Sequence, residues 1–174
     1  DSGAGISNRI ILNEADFVQI LANRILSCDA TGIKSTGSNV MIKDNMFDST
    51  KAPISVEGTS LSIISNSIVS WAYAGAIWLN NVERAIVSMN ILRNPGDYGA
   101  YIHGLYLGNS KNLDISGNKV FDDRVTKKLN YGIYFDNVET TIVRNNDLRD
   151  VLSASFRYIE GEDVEYYEPQ IDTF

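Results

Sequence analysis

Leu113-Asp114-Ile115-Ser116-Gly117-Asn118-Lys119-Val120 carries the pattern that decides the fold: apolar, any, apolar, two residues, asparagine, any, apolar. Five more copies run from Val18 to Ile25, Val40 to Phe47, Leu61 to Ile68, Ala85 to Leu92 and Thr141 to Leu148. Their asparagines, at 23, 45, 66, 90, 118 and 146, are spaced by 22, 21, 24, 28 and 28 residues. In every copy the residue three before the asparagine is Ile or Val, and the residue two after it is apolar. Alternation of this kind is the mark of a short strand with one buried face.

Working outward, a second short strand precedes each copy, anchored by Ile10, Ile33, Ile54, Ile77, Leu105 and Ile133. Gly stands directly before Ile33, Leu105 and Ile133. From anchor to asparagine the distance is 13, 12, 12, 13, 13 and 13 residues, so that half of the repeat is nearly rigid. From asparagine to the next anchor it is 10, 9, 11, 15, 15 and, to Phe156, 10, so length variation is confined to one loop. A degenerate seventh copy reads Val164, Tyr166, Pro169 and Ile171, with Pro in the place of Asn. Such a unit, without any 3.6-residue period, predicts an all-β chain wound as a parallel β-helix, six full coils plus that seventh. No coil buries its apolar face alone, but stacked coils make one continuous core. The repeated Asn side chains then stack at one corner as a hydrogen-bonded structural ladder, outside any active site.

Composition agrees. The 174 residues include 17 Asn and 20 Ile but only three Pro, a mixture of strand and turn formers. A net charge of −7 argues against a nucleic-acid partner. No run approaches the roughly 18 apolar residues of a membrane span, so no membrane insertion is expected. A single cysteine, Cys28, excludes an internal disulfide framework, and a single histidine, His103, excludes a multi-histidine zinc site. The expected organisation is one β-helix segment over 1–174: a leading loop at 1–8, regular coils over 9–159 and a terminal coil or cap over 160–174. Without an initiating Met, it reads as part of a longer parent chain.

The [IV]-x-x-N-x-apolar copies interleave with Gly104-Leu105-Tyr106-Leu107 and Gly132-Ile133-Tyr134-Phe135. Together they resemble the right-handed parallel β-helix of the pectate-lyase-like superfamily, including secreted bacterial lyase-like proteins and phage tail spikes. That resemblance, over Arg9 to Ile171, implies a secreted or virion location and a polysaccharide partner. The partner would be bound, cleaved or epimerised. For spike-like members it also implies a homotrimer. Family catalytic patterns do not carry over: Ile102-His103-Gly104 precedes Asp122-Asp123, the reverse of the polygalacturonase order, and the calcium and arginine constellation of pectate lyases is absent.

Alternation points one residue after each anchor outward, giving the column Ile11, Lys34, Ser55, Trp78, Tyr106, Tyr134 and Arg157. Two positions on lie Asn13, Thr36, Glu57, Asn80, Gly108 and Asp136. Stacked aromatics flanked by Asn and Asp suit sugars, whose apolar faces lie on rings while their hydroxyls bond to polar groups. The substrate-binding candidates are therefore Trp78, Asn80, Tyr101, Tyr106, Lys127, Tyr134 and Asp136. Trp71 and Tyr73 lie in the coil before. The two long loops supply the catalytic candidates Asp97, His103, Asp122, Asp123 and Arg124. A glycosidase needs two carboxylates about 5–9.5 Å apart, which Asp97 with Asp122 or Asp123 would provide. A lyase or epimerase needs a base, from His103, Tyr101 or Tyr134, and a cation, from Arg124 or Lys127. No cofactor is required; calcium on Asp122, Asp123 and Asp136 fits the residue types but no loop signature. The first functional reading is thus a polysaccharide lyase, epimerase or hydrolase. The second is a non-catalytic shaft or glycan-binding module.

Overall fold

The computed structural model describes residues 11–71, 75–95, 102–158 and 164–167. Among these residues there are sixteen strands and no helix. Every strand pair is parallel, with one register shift between the third and fourth coils near Val56 and Gly58, forming a β-solenoid of about six turns.

Three faces repeat. The first is built from β1 (Ile11–Asn13), β4 (Thr31–Ser35), β15 (Ala154–Tyr158) and the leading halves of four long strands. These are β7 (Ala52–Ile64), β9 (Gly75–Ser88), β11 (His103–Ser116) and β13 (Tyr131–Arg144). The second face holds β2 (Gln19–Leu21), β5 (Met41–Lys43), the trailing halves of the long strands and β16 (Val164–Tyr167). The third stacks β3 (Arg24–Leu26), β6 (Met46–Thr50), β8 (Ser67–Trp71), β10 (Ile91–Arg93), β12 (Lys119–Phe121) and β14 (Asp147–Arg149). Ile33, Ile54, Ile77, Leu105 and Ile133 are fully buried, as are Ile63, Ile115, Ile68, Leu92 and Val120 from the other faces. The core is therefore one column of mainly aliphatic side chains along the axis, joined by the fully buried Phe47, Trp71 and Phe135.

Corners are made by single residues with left-handed backbone. In the first coil they are Phe17, Ala22 and Ser27; in the second, Asn39, Asp44 and Ser49; in the third, Ser60, Ser65 and Ser70. They fall six before, one before and four after the repeated asparagine, so two five-residue steps separate three bends. One left-handed residue between extended stretches turns the chain sharply, at a cost of roughly 1–2 kcal/mol without glycine. The asparagine follows the middle bend and points inward. Asn45 donates through Nδ2 to Asn66 Oδ1 at 3.0 Å and to the Ile20 carbonyl of the preceding coil at 2.9 Å. Asn66 donates to Asn90, Asn90 to Asn118 and Asn118 to Asn146 in the same way. The expected ladder is present in full from Asn23 to Asn146.

Gly before the anchor also has a reason. A Cβ on Gly104 would lie 2.2 Å from Val120 Cγ1 and 2.6 Å from the Gly132 carbonyl oxygen, so the chain presents two successive positions to the core there. That reverses the alternation upstream and puts His103 and Tyr131 outside.

Two expectations need adjustment. In the first coil Ile11, not Ile10, pairs with Ile33, so Leu12 rather than Ile11 is the outward residue opposite Lys34. Asn13 pairs with Ser35 rather than Thr36; it is buried, with its amide donating to Ser35 Oγ at 2.9 Å, and that bond sets the register. At the other end Tyr166 pairs with Val143, the register that the degenerate copy requires, while Pro169 and Ile171 lie outside the described residues.

Asn90→Ala would strand the Asn66 backbone N–H in the interior, remove the side-chain partner of the Ile63 carbonyl and take one acceptor from the Asn66 amide. At ~1–3 kcal/mol per unsatisfied buried group, urea unfolding should show a loss of about 3 kcal/mol or more at unchanged m. Thr140, exposed and β-branched at φ 44, carries strain without compensating contact. Thr140→Gly should raise stability by about 0.5–1 kcal/mol, the relief of strain less glycine's extra chain entropy, read as a higher urea midpoint.

Candidate functional site

The outward column of the first face is as read: Lys34, Ser55, Trp78, Tyr106, Tyr134 and Arg157 pair in register across six strands. Parallel strands lie ~4.8 Å apart, close to the thickness of stacked rings, so aromatics in register stack on one another. Trp78 and Tyr106 have centroids 3.8 Å apart at 17°, and Tyr106 and Tyr134 5.5 Å at 14°. Arg157 closes the column, its guanidinium carbon 5.6 Å from the Tyr134 ring centroid and 5.4 Å from that of Tyr131. The rings cover one another's faces and turn their edges outward.

Beside this column stand His103 and Tyr131, in register with Gly75. His103 stacks on Tyr134 at 4.4 Å and leans on Tyr131 at 5.5 Å, leaving it 3 % exposed. Its carbonyl accepts the indole N–H of the fully buried Trp71 at 3.0 Å, which fixes the start of β11. Trp71 is thus a core residue. Nδ1 of His103 is buried and has no hydrogen-bond partner among the described residues. Burial, and then the charge of Arg157, bring its pKa down to about 4, so the imidazole is neutral at neutral pH.

The tyrosines are driven in opposite directions. Tyr106 Oη donates to Asp136 Oδ2 at 2.7 Å, reaching it across Gly108, where a Cβ would stand 2.8 Å from the Tyr106 ring. Burial, that bond and the carboxylate charge push Tyr106 well above an ordinary phenol. Tyr131 Oη instead accepts from Arg157 Nη1 at 2.9 Å, and this bond holds Tyr131 below the ordinary value.

The loop residues divide differently. Asp122 occupies the position of the third corner residue, but its fully buried carboxylate is clamped. Arg124 grips it with Nε and Nη2, both at 2.7 Å, and the Lys128 and Leu129 N–H groups donate at 2.6 and 3.3 Å. Burial pushes this carboxyl up, but the bonds from Arg124 and the two backbone N–H groups outweigh it and leave the pKa lowered. Asp122 and Arg124 therefore tie down the loop that follows β12. Lys127 donates to the Asp122 carbonyl and lies 3.2 Å from Asp150. Asp123 accepts from Arg93 at 2.7 Å at the end of the third face, and its pKa is lowered by bonding to Asn94 and Arg93. Asn80 accepts from Asn109 at 3.3 Å.

The structure thus brings together Trp78, His103, Tyr106, Tyr134, Asp136 and Asn80, and adds Tyr131 and Arg157. It does not bring Asp122, Asp123, Arg124 and Lys127 among them; Asp97, Tyr101 and Tyr73 lie outside the described residues. Asp122, Asp123 and Asp136 do not converge, and among the described residues no group of three His, Cys, Asp or Glu is placed to hold a metal. The place of Arg157 was legible as the outward residue after Phe156. That of Tyr131 was hidden by the double inward turn at Gly132 and Ile133.

A family model describing a right-handed β-helix region matches residues 8–166, nearly the whole chain. The chain belongs to the right-handed β-helix family. No curated protein matches the sequence. In this β-helix protein the clustered side chains of the first face come from four successive strands, β9, β11, β13 and β15.

Folding buries His103 neutral, so its folded pKa lies below its unfolded value near 6.5. Its stabilising contribution is therefore complete above that unfolded value and is lost as pH falls toward the folded one. Between pH 7 and 4 the wild type should lose about 3 kcal/mol more than His103→Gln, at 1.36 kcal/mol per pKa unit. Urea unfolding of both proteins across that range measures the difference.

Proposed function

We propose that the chain is a carbohydrate-active β-helix domain that binds a polysaccharide across its first face and cleaves or epimerises it at a uronate. This reading keeps the kinship with the pectate-lyase-like superfamily, and with it a place outside the cell or on a virion. The observation that carries it is the contrast between two tyrosines of one cluster, Tyr106 held protonated by Asp136 and Tyr131 drawn toward phenolate by Arg157. Paired groups whose pKa values are pushed apart are suited to different proton-transfer roles.

The chemistry follows from those roles. The proton on the carbon beside a uronate carboxylate is weakly acidic until the carboxylate charge is offset. Arg157 provides the cation, and Tyr131, once its own hydroxyl proton has passed to solvent, takes the proton from carbon on its phenolate oxygen as the C–H bond breaks. The electron pair then either expels the glycosidic oxygen, which takes a proton from solvent and leaves a C=C bond behind, or takes a proton from solvent on the opposite side of the ring. The first outcome is a lyase reaction and the second an epimerase reaction. Hydrolysis is less well supported, because Asp122 is consumed by its loop and Asp123 by Arg93.

Tyr131→Phe should lower turnover by about 10²–10⁴-fold, the usual worth of a general base. Arg157→Gln should raise KM and lower kcat together. The assay is absorbance of unsaturated products, with exchange of the abstracted proton against deuterated solvent to reveal epimerisation, over a panel of uronates and of capsular and wall glycans. Binding without turnover or exchange across that panel would overturn the reading.

One observation favours the alternative, a non-catalytic shaft or glycan-binding module: the rings of Trp78, Tyr106 and Tyr134 already stack on one another. Trp78→Ala would then lower stability while leaving glycan affinity unchanged.

A further inference from the structure

Around the corner from the aromatic column, between the first and second faces, lies a groove of about 390 Å³. One wall carries Asn81, Asn109 and Asn137, and the other Glu83, Lys111 and Glu139, each set at one position on three successive coils. All three asparagines have left-handed backbone and exposed side chains. Their amides differ from the buried ladder in what they leave open. Asn137 donates to Asn109 at 2.9 Å and Asn109 to Asn80 at 3.3 Å, while Asn81 makes no side-chain hydrogen bond among the described residues.

The charged wall is also unspent. Lys111 is in register with Glu83 on one side and Glu139 on the other, yet it forms no ion pair with either. The floor is already satisfied: Ser110 donates to the Gly108 carbonyl at 2.6 Å and accepts from the Val82 N–H at 3.1 Å. The coils that carry this groove are the three that supply Trp78, Tyr106 and Tyr134, and the Asn109–Asn80 bond joins the two surfaces.

From this placement we infer that the corner groove is a subsite for uncharged, hydroxyl-rich sugar units lying along the solenoid axis. Its amides, carboxylates and ammonium repeat at the ~4.8 Å strand spacing and offer both donors and acceptors. A sugar hydroxyl answers both, donating to Glu and accepting from Lys or Asn. A uronate does not, since two carboxylates against one ammonium leave the groove net negative. The inference rests on the polysaccharide reading of the first face and sharpens it. The substrate is a mixed or branched glycan, with an acidic unit at Tyr131 and Arg157 and neutral units at the corner.

The test is a titration of the 15N-labelled protein with cello-, xylo- and malto-hexaose and, separately, with an oligogalacturonate, following the side-chain amide signals of Asn81, Asn109 and Asn137. At least one neutral hexasaccharide should shift them. Asn109→Gly, which keeps the left-handed corner and removes the amide, should weaken that binding about tenfold, the worth of one or two hydrogen bonds. Tyr131→Phe should leave it within twofold. The inference is overturned if the signals stay fixed with every neutral probe. It is also overturned if Asn109→Gly binds as well as wild type, or if the oligogalacturonate shifts the same signals at lower concentration. Failure of the uronate reaction is separate, because loss of turnover with intact groove titration sinks the first-face chemistry alone.

Discussion

One constraint governs the molecule: a carboxamide buried at the same corner of every coil must find all its hydrogen-bond partners in the coils beside it. The Asn Oδ1 takes a backbone N–H and a side-chain N–H from the coil before, as at Asn66 and Asn90. Its own Nδ2 reaches back to a carbonyl of that coil. These bonds exist only if adjacent coils are in register to within a fraction of an ångström. The ladder therefore fixes the alignment of all three faces, and the stacked aliphatic core and outward columns follow from it. The apolar core alone would tolerate slippage between like residues; the amides do not.

The fold was legible because that requirement leaves a trace at regular distance. The asparagine, its apolar neighbours at −3 and +2, and the near-constant 12–13 residues from each anchor are all needed to seat one amide. The corners were less visible. Phe17, Ala22, Ser65, Met89 and Thr140 share a left-handed backbone but no residue type, since the bend is imposed by stacking rather than by local preference. The first coil misled for a related reason: Asn13 looks like an outward polar residue until Ser35 is found to bond it inside.

The site was half legible. Period-two alternation placed Trp78, Tyr106, Tyr134 and Arg157 correctly, because strand geometry is regular there. Asp122 was the harder case. Its acidity and loop position suggest chemistry, but its oxygens are taken by Arg124, Lys128 and Leu129. In a long loop with few partners of its own, a carboxylate is the cheapest way to satisfy several N–H groups at once, and sequence does not distinguish that use from catalysis. Tyr131 was missed because alternation fails at Gly132, the glycine before its anchor Ile133.

The asparagine column has a direction. Every hydrogen bond from one asparagine of the column to the next is donated by the earlier coil and accepted by the Oδ1 of the later one, while a side-chain N–H of each asparagine from Asn45 on also reaches back to a carbonyl of the coil before. Aligned in this way, the amides add like the peptide dipoles of an α-helix, and the two ends of the column differ in electrical sign. One end offers acceptors and the other donors. Any extension of the stack, by more coils of chain or by a second copy, must therefore be head-to-tail, since a reversed unit would set donor against donor. Such an arrangement is a polar, heterologous assembly that grows without closing on itself.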